Sequence, residues 1–140
     1  MKDLDLAKKN LDDHTLALCK GETVIVSDKR GVAPMIDFID AQTHLTGYCA
    51  ADTIVGKAVA SMFVKAGIAA VYGQVMSKSA HLYLQTHGIY AEYATLVDVI
   101  INRQGTGQCP MEEAVKSVDD PDDCFLAIKE KLAALKANRS

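Results

Sequence analysis

The chain of 140 residues fits one domain, and its 49% apolar and 24% charged residues supply an ordinary buried core, which excludes disordered and collagen-like classes. A net charge of -3, no basic block and no Trp argue against a nucleic acid polymer as partner, though not against a single nucleotide as ligand. No uncharged apolar run nears the roughly 20 residues of a membrane span, and Met1 to Asp13 alternates charge with leucine, unlike a secretory signal. Cys19, Cys49, Cys109 and Cys124 are spaced too irregularly for a disulfide framework, so a reduced, cytoplasmic protein is expected.

Leu4, Ala7 and Leu11 recur at helical spacing and predict a short amphipathic helix. The runs Thr15 to Cys19 and Thr23 to Ser27, parted by Lys20, Gly21 and Glu22, predict an antiparallel hairpin. After Gly31 the period changes. Pro34 suits a first helical turn, and Met35, Ile36 and Ile39 line one face of a helix to about Gln42. Thr43 to Ala51 reads as a loop punctuated by Gly47.

Asp52 is placed to cap a helix from Thr53 to Ala66, with Gly67 ending it in a left-handed turn. Ile68 to Val75 reads as a strand covered on both faces. Ser77 caps a helix through His87, closed by Gly88, and a strand follows from Tyr90 to Val97, with a further one over Val99 to Asn102. Strand, helix, strand at this spacing implies parallel pairing through a right-handed crossover. A loop at Gly105 to Gln108 leads to a helical extension over about 110–137: a short helix from Pro110, then one from Pro121. Phe125, Ile128, Leu132 and Leu135 form the buried stripe of that last helix, and Asp120, Asp122 and Asp123 suit its positive end. The whole predicts an α/β protein in three α-β-α layers, with a mixed sheet that opens on a hairpin and continues in parallel.

This succession resembles the cytidine-deaminase-like superfamily. The stretches Asp52-Thr53-Ile54-Val55-Gly56-Lys57-Ala58, Val71-Tyr72-Gly73-Gln74-Val75-Met76-Ser77 and Asn102-Arg103-Gln104-Gly105-Thr106-Gly107-Gln108-Cys109-Pro110-Met111-Glu112 are similar to a family of small prokaryotic proteins of that fold, labelled a domain of unknown function. The resemblance implies a cleft at the starts of the two central helices. Working deaminases place there a His or Cys with a Glu, and then Pro-Cys-x-x-Cys, to hold a zinc that activates water. Here the first of those segments reads Asp-Thr-Ile-Val-Gly-Lys and the second Met76-Ser77-Lys78-Ser79-Ala80, without a thiol or an imidazole. Zinc-dependent deamination is therefore not expected. His81 and His87, six apart on one helix, face different ways, and His44 with Cys49 makes only a pair, so neither a metal nor another cofactor is expected.

Several residues remain candidates. Cys109 precedes Pro110 and a helix start, where the dipole favours a thiolate nucleophile or redox sensor; alternatively it is a small residue at a helix start, with Glu112 complementing the dipole. The loop around Gly107, with Asn102 and Arg103 upstream, offers an anion site, or the glycines only shape a turn. Lys57, read in the second turn of its helix, either meets an anionic ligand in the cleft or belongs to a polar stripe with Thr53 and Ser61. Ser77 lies where deaminases carry metal ligands, and otherwise caps its helix.

Three functions follow. The first is a zinc-less deaminase-like protein that binds a small anionic or nucleotide-like ligand through Lys57, Ser77, Asn102, Arg103, Gly107 and Glu112. The second is a thiol-dependent enzyme or redox sensor built on Cys109. The third is a non-catalytic interaction module that can self-associate into a homo-oligomer.

Overall fold

A computed structural model describes residues 2–101, 105 and 107–137. The elements run α1 (Lys2–Asn10), β1 (Leu16–Lys20), β2 (Thr23–Ser27), α2 (Ala33–Asp40), β3 (Cys49–Val55), α3 (Lys57–Ala66), β4 (Ala70–Ser77), α4 (Lys78–Thr86), β5 (Tyr90–Val97), α5 (Pro110–Val115) and α6 (Pro121–Ala137). Among the described residues the sheet has five strands, in the order β2-β1-β3-β4-β5. β1 is antiparallel to both β2 and β3, whereas β3, β4 and β5 are mutually parallel. No helix among the described residues is long and apolar enough to cross a membrane.

The sheet is covered unequally. Among the described residues, α1 alone lies on one face, and its Leu4 and Ala7, with Leu11 just beyond, pack over Cys19, Cys49, Ala51 and Ala70. Small residues in the strands let that helix sit close. Lys8 ties its far end to Glu92 on β5 and lies 4.7 Å from the Tyr72 ring centroid. The other face carries the main core under the remaining helices. There α3 is central, buried continuously from Ala58 to Phe63, and α6 lays Cys124, Phe125 and Ile128 against the same core.

Two central strands turn over partway. Ala50 and Val55 both face the main core though five residues apart, as do Val71 and Met76. A regular strand would put residues an odd number apart on opposite faces. Gly73 lies at the turnover, where a Cβ would fall 2.9 Å from Cγ2 of Val55. Val55 thereby points inward just before the chain enters α3.

Several expectations need correction. Thr43–Ala51 is not all loop, nor does a helix begin at Thr53: both stretches contribute to β3, and α3 starts at Lys57. The β-branched Thr53-Ile54-Val55 run suits a strand, and Gly56 separates it from the helix. Asp52 is therefore a buried strand residue opposite Leu16 rather than a helix cap, and Cys49 is a buried strand residue rather than a loop partner of His44. Beyond β5, Ile101 makes only an isolated bridge to Gln108, and the Asn102 end of the expected further strand lies outside the described residues.

Candidate functional site

Because β3, β4 and β5 are parallel, they finish at one end of the sheet, where α3 and α4 begin. A helix start exposes N–H groups with no partner in the helix. At α4, Ser77 supplies the partner locally: its Oγ accepts from the Ala80 N–H at 3.1 Å and lies 3.1 Å from Oγ of Ser79. Ser77 is buried, and next to it Lys78 pairs with Asp98 at 2.7 Å.

At α3 the residue before the helix is Gly56, which has no side chain to offer. The partner arrives from α5. The Lys57 N–H donates to Oε1 of Glu112 at 2.7 Å, and the Ala58 N–H donates to Oε2 at 2.8 Å. Gly56 makes the fit possible, since a Cβ there would come within 2.7 Å of Oε2. Glu112 is only 5% exposed. Burial pushes its carboxyl above the usual range, against the opposing pull of the Ala58 and Lys57 amides and the Lys57 charge.

Lys57 is thus the first residue of its helix rather than a member of the second turn, and the stripe with Thr53 and Ser61 dissolves. Its side chain is 12% exposed; Nζ donates to the Lys116 carbonyl at 3.4 Å, lies 3.6 Å from the exposed Asp119 carboxylate and sits 5.7 Å from the Tyr83 ring centroid. Beneath it is a polar patch whose members lie far apart along the chain. The Ser61 hydroxyl, fully buried, donates to the Ala58 carbonyl at 2.6 Å; the Tyr83 hydroxyl donates to the Asp119 carbonyl at 2.6 Å; the Cys124 thiol donates to the Val118 carbonyl at 3.4 Å. Burial raises both the Tyr83 phenol and the Cys124 thiol.

Of the expected site residues, the structure brings Lys57 and Glu112 together. Ser77 serves the next helix. Cys109 is half-buried at the cap position of α5, where its side chain makes no capping bond and its carbonyl accepts from the Glu112 and Glu113 N–H groups. Gly107 is exposed, whereas Asn102 and Arg103 lie outside the described residues. Asp52 was missed as a titrating group: burial pushes its carboxyl up to about 7, with the Ile54 and Thr53 backbone groups pulling the other way. His14 bonds Asp28, His81 rests edge-on against Tyr93 and His87 bonds the Tyr83 carbonyl. Among the described residues, no three His, Cys, Asp or Glu side chains converge as a metal site.

Two concavities lie elsewhere. An open one of about 360 Å³ is lined by Lys2, Asp3, Leu6, Gly21 and Glu22, and another of about 200 Å³ lies around His44 and Lys65. Neither touches the α3 start, whose chemistry is bound up within the chain.

No curated protein matches the chain. Among solved structures, it is similar to a DUF1893 family protein (TM1506) from Thermotoga maritima, at 26% identity and a TM-score of 0.84 over 93% of this chain and 90% of that one. The family model "TM1506: Domain of unknown function (DUF1893)" matches residues 6–132. With nearly its whole length matched, from α1 to α6, the chain belongs to the DUF1893 family.

Proposed function

We propose that this chain is a zinc-less protein of the cytidine-deaminase-like fold that works as a non-catalytic binding module, its old catalytic end closed by Glu112. The observation that carries this reading is the two-toothed grip of the Lys57 and Ala58 amides on the Glu112 carboxylate. An anion from outside would have to displace an internal one already at contact distance. Lys57, whose charge acts on Glu112, is held by the Lys116 carbonyl and covered by Tyr83. The segments that would supply metal ligands begin Gly56-Lys57-Ala58 and Ser77-Lys78-Ser79, and hard cationic or hydroxyl side chains make a poor zinc donor set. The four unpaired thiols, three of them buried, suit a reducing, cytoplasmic setting.

Chemical rescue tests the reading. Acetate, a carboxylate without a tether, should raise the melting temperature of Glu112→Ala in a dose-dependent way and leave the native chain unmoved relative to a chloride control. Inorganic phosphate should behave likewise. If phosphate or a nucleotide instead stabilises the native chain, and Lys57→Ala abolishes the effect, the cleft is an open ligand site and the small-anion reading replaces this one. Hydrolytic turnover lost on Cys109→Ser would in the same way favour a thiol enzyme.

A further inference from the structure

The sheet has two outer strands, finished differently. β2 spans only five residues; like β5 it carries no Lys, Arg or Pro, and it exposes Val24 and Val26, so shortness is what sets this edge apart. β5 spans eight residues with no Lys, Arg or Pro, and among the described residues no strand lies beyond it. Its one charged residue, Glu92, is already neutralised by Lys8 of α1. Tyr90 and Tyr93 stand 51% and 40% exposed, and Ala94 and Thr95 are exposed between them and the strand end. Among the described residues, backbone N–H and C=O groups on the outward side of this strand have no neighbouring strand to bond.

We propose that β5 is a homodimer seam, at which two copies of the chain pair these strands antiparallel about a two-fold axis and continue one sheet into the next. The proposal rests on the reading of this protein as a binding module, and it names the partner. Because the unmet chemistry is a row of backbone groups, the occupant must be an extended strand. A second β5 meets the charge requirement as well. With the axis passing at Tyr93, Glu92 of one copy faces Ala94 of the other, so no like charges oppose. The two Tyr93 rings then form a cross-strand aromatic pair, each held from behind by the edge-on ring of His81 at 5.3 Å. Such an interface is isologous, the commonest form of dimer.

Light scattering on the whole chain across a dilution series reads the outcome. The expected mass is twice the 15.1 kDa of one chain, falling to that of one chain in Tyr93→Lys and staying doubled in Val24→Lys on β2. Circular dichroism of Tyr93→Lys should match the native spectrum, which separates lost pairing from lost folding. As an independent check, Tyr93→Cys treated with diamide should form an intermolecular disulfide between the two copies of position 93: two thiols give up two protons and two electrons, and the diazene takes them up. A native mass of 15.1 kDa at every concentration overturns the seam, as does a dimer that survives Tyr93→Lys and is broken by Val24→Lys. A monomer that still ignores phosphate sinks the seam alone; a dimer that binds phosphate at the α3 start sinks only the closed-cleft reading.

Discussion

Two adjacent helices start at the same end of the sheet and complete their first turns by opposite means. α4 is capped by Ser77, a residue of its own chain segment, through a bond spanning three positions. α3 is capped by Glu112, brought from a separation of 54 and 55 residues, against a glycine that contributes only room. A local cap forms as soon as its helix forms. The remote one exists only once α5 has docked, so it joins the centre of the core to the C-terminal helices and at the same time occupies the place where an anion would bind. The difference in wiring should appear as a difference in energy, in pH dependence and in coupling.

The largest effect belongs to Glu112. Glu112→Ala leaves two buried amides and a covered lysine without their anion, and is expected to cost about 3–5 kcal/mol, lowering the melting temperature by roughly 10 °C or more. Calorimetry at constant pH checks it. A loss under about 1 kcal/mol would reduce the grip to an ornament.

Asp52 sets the pH at which the two helix starts should be compared. Its carboxyl titrates near 7 when folded, above its usual 3.8, so the folded chain holds a proton that the unfolded chain has released. Stability therefore falls as pH rises from about 4 through about 7, and at 1.36 kcal/mol per unit the decline approaches roughly 4 kcal/mol. Asp52→Asn should flatten most of that slope and stabilise the protein at alkaline pH, as followed by urea unfolding. The residual slope has the same sign and comes from Glu112, whose carboxyl is also raised. Stability that climbs with pH over this window would contradict the burial of both groups.

Coupling is the next measure. Gly56→Ala alone pushes a methyl group into the Glu112 carboxylate and is expected to cost about 1–3 kcal/mol. In the Glu112→Ala background the same change should cost little, because the space is already empty. A double-mutant cycle reads the difference, and additive losses would mean that the glycine and the glutamate do not share a space. Smallest is Ser77→Ala, at about 1 kcal/mol and without pH dependence, since a hydroxyl does not titrate here.

The same contrast explains what could be read from the sequence. Ser77, Gly67 and Gly88 announce the ends of α3 and α4 because caps act within a few residues. β5 stands out by its β-branched and aromatic content, and the α6 stripe by its period, with Phe125 and Ile128 buried and Leu132 and Leu135 packed beside them. β3 was hidden: Cys49, Ala50 and Ala51 are small because α1 and the main core press on both faces, and small residues carry no strand signature. Lys57 and Glu112 each stand out in the sequence as ligand contacts, or as a polar-stripe member and a dipole complement, since nothing in a linear chain says that one answers the other. Gly56 looked like a helix interior. Only its missing Cβ, seen against the carboxylate, gives it a reason.

The central claim is that the Glu112 carboxylate fills the amide socket at the start of α3. Amide proton and nitrogen shifts of Lys57 and Ala58, followed through a pH titration, test it most directly. Both should move together with one midpoint above the ordinary glutamate range, and both should lose that transition in Glu112→Gln. Flat traces, or a transition that Glu112→Gln leaves in place, would contradict it.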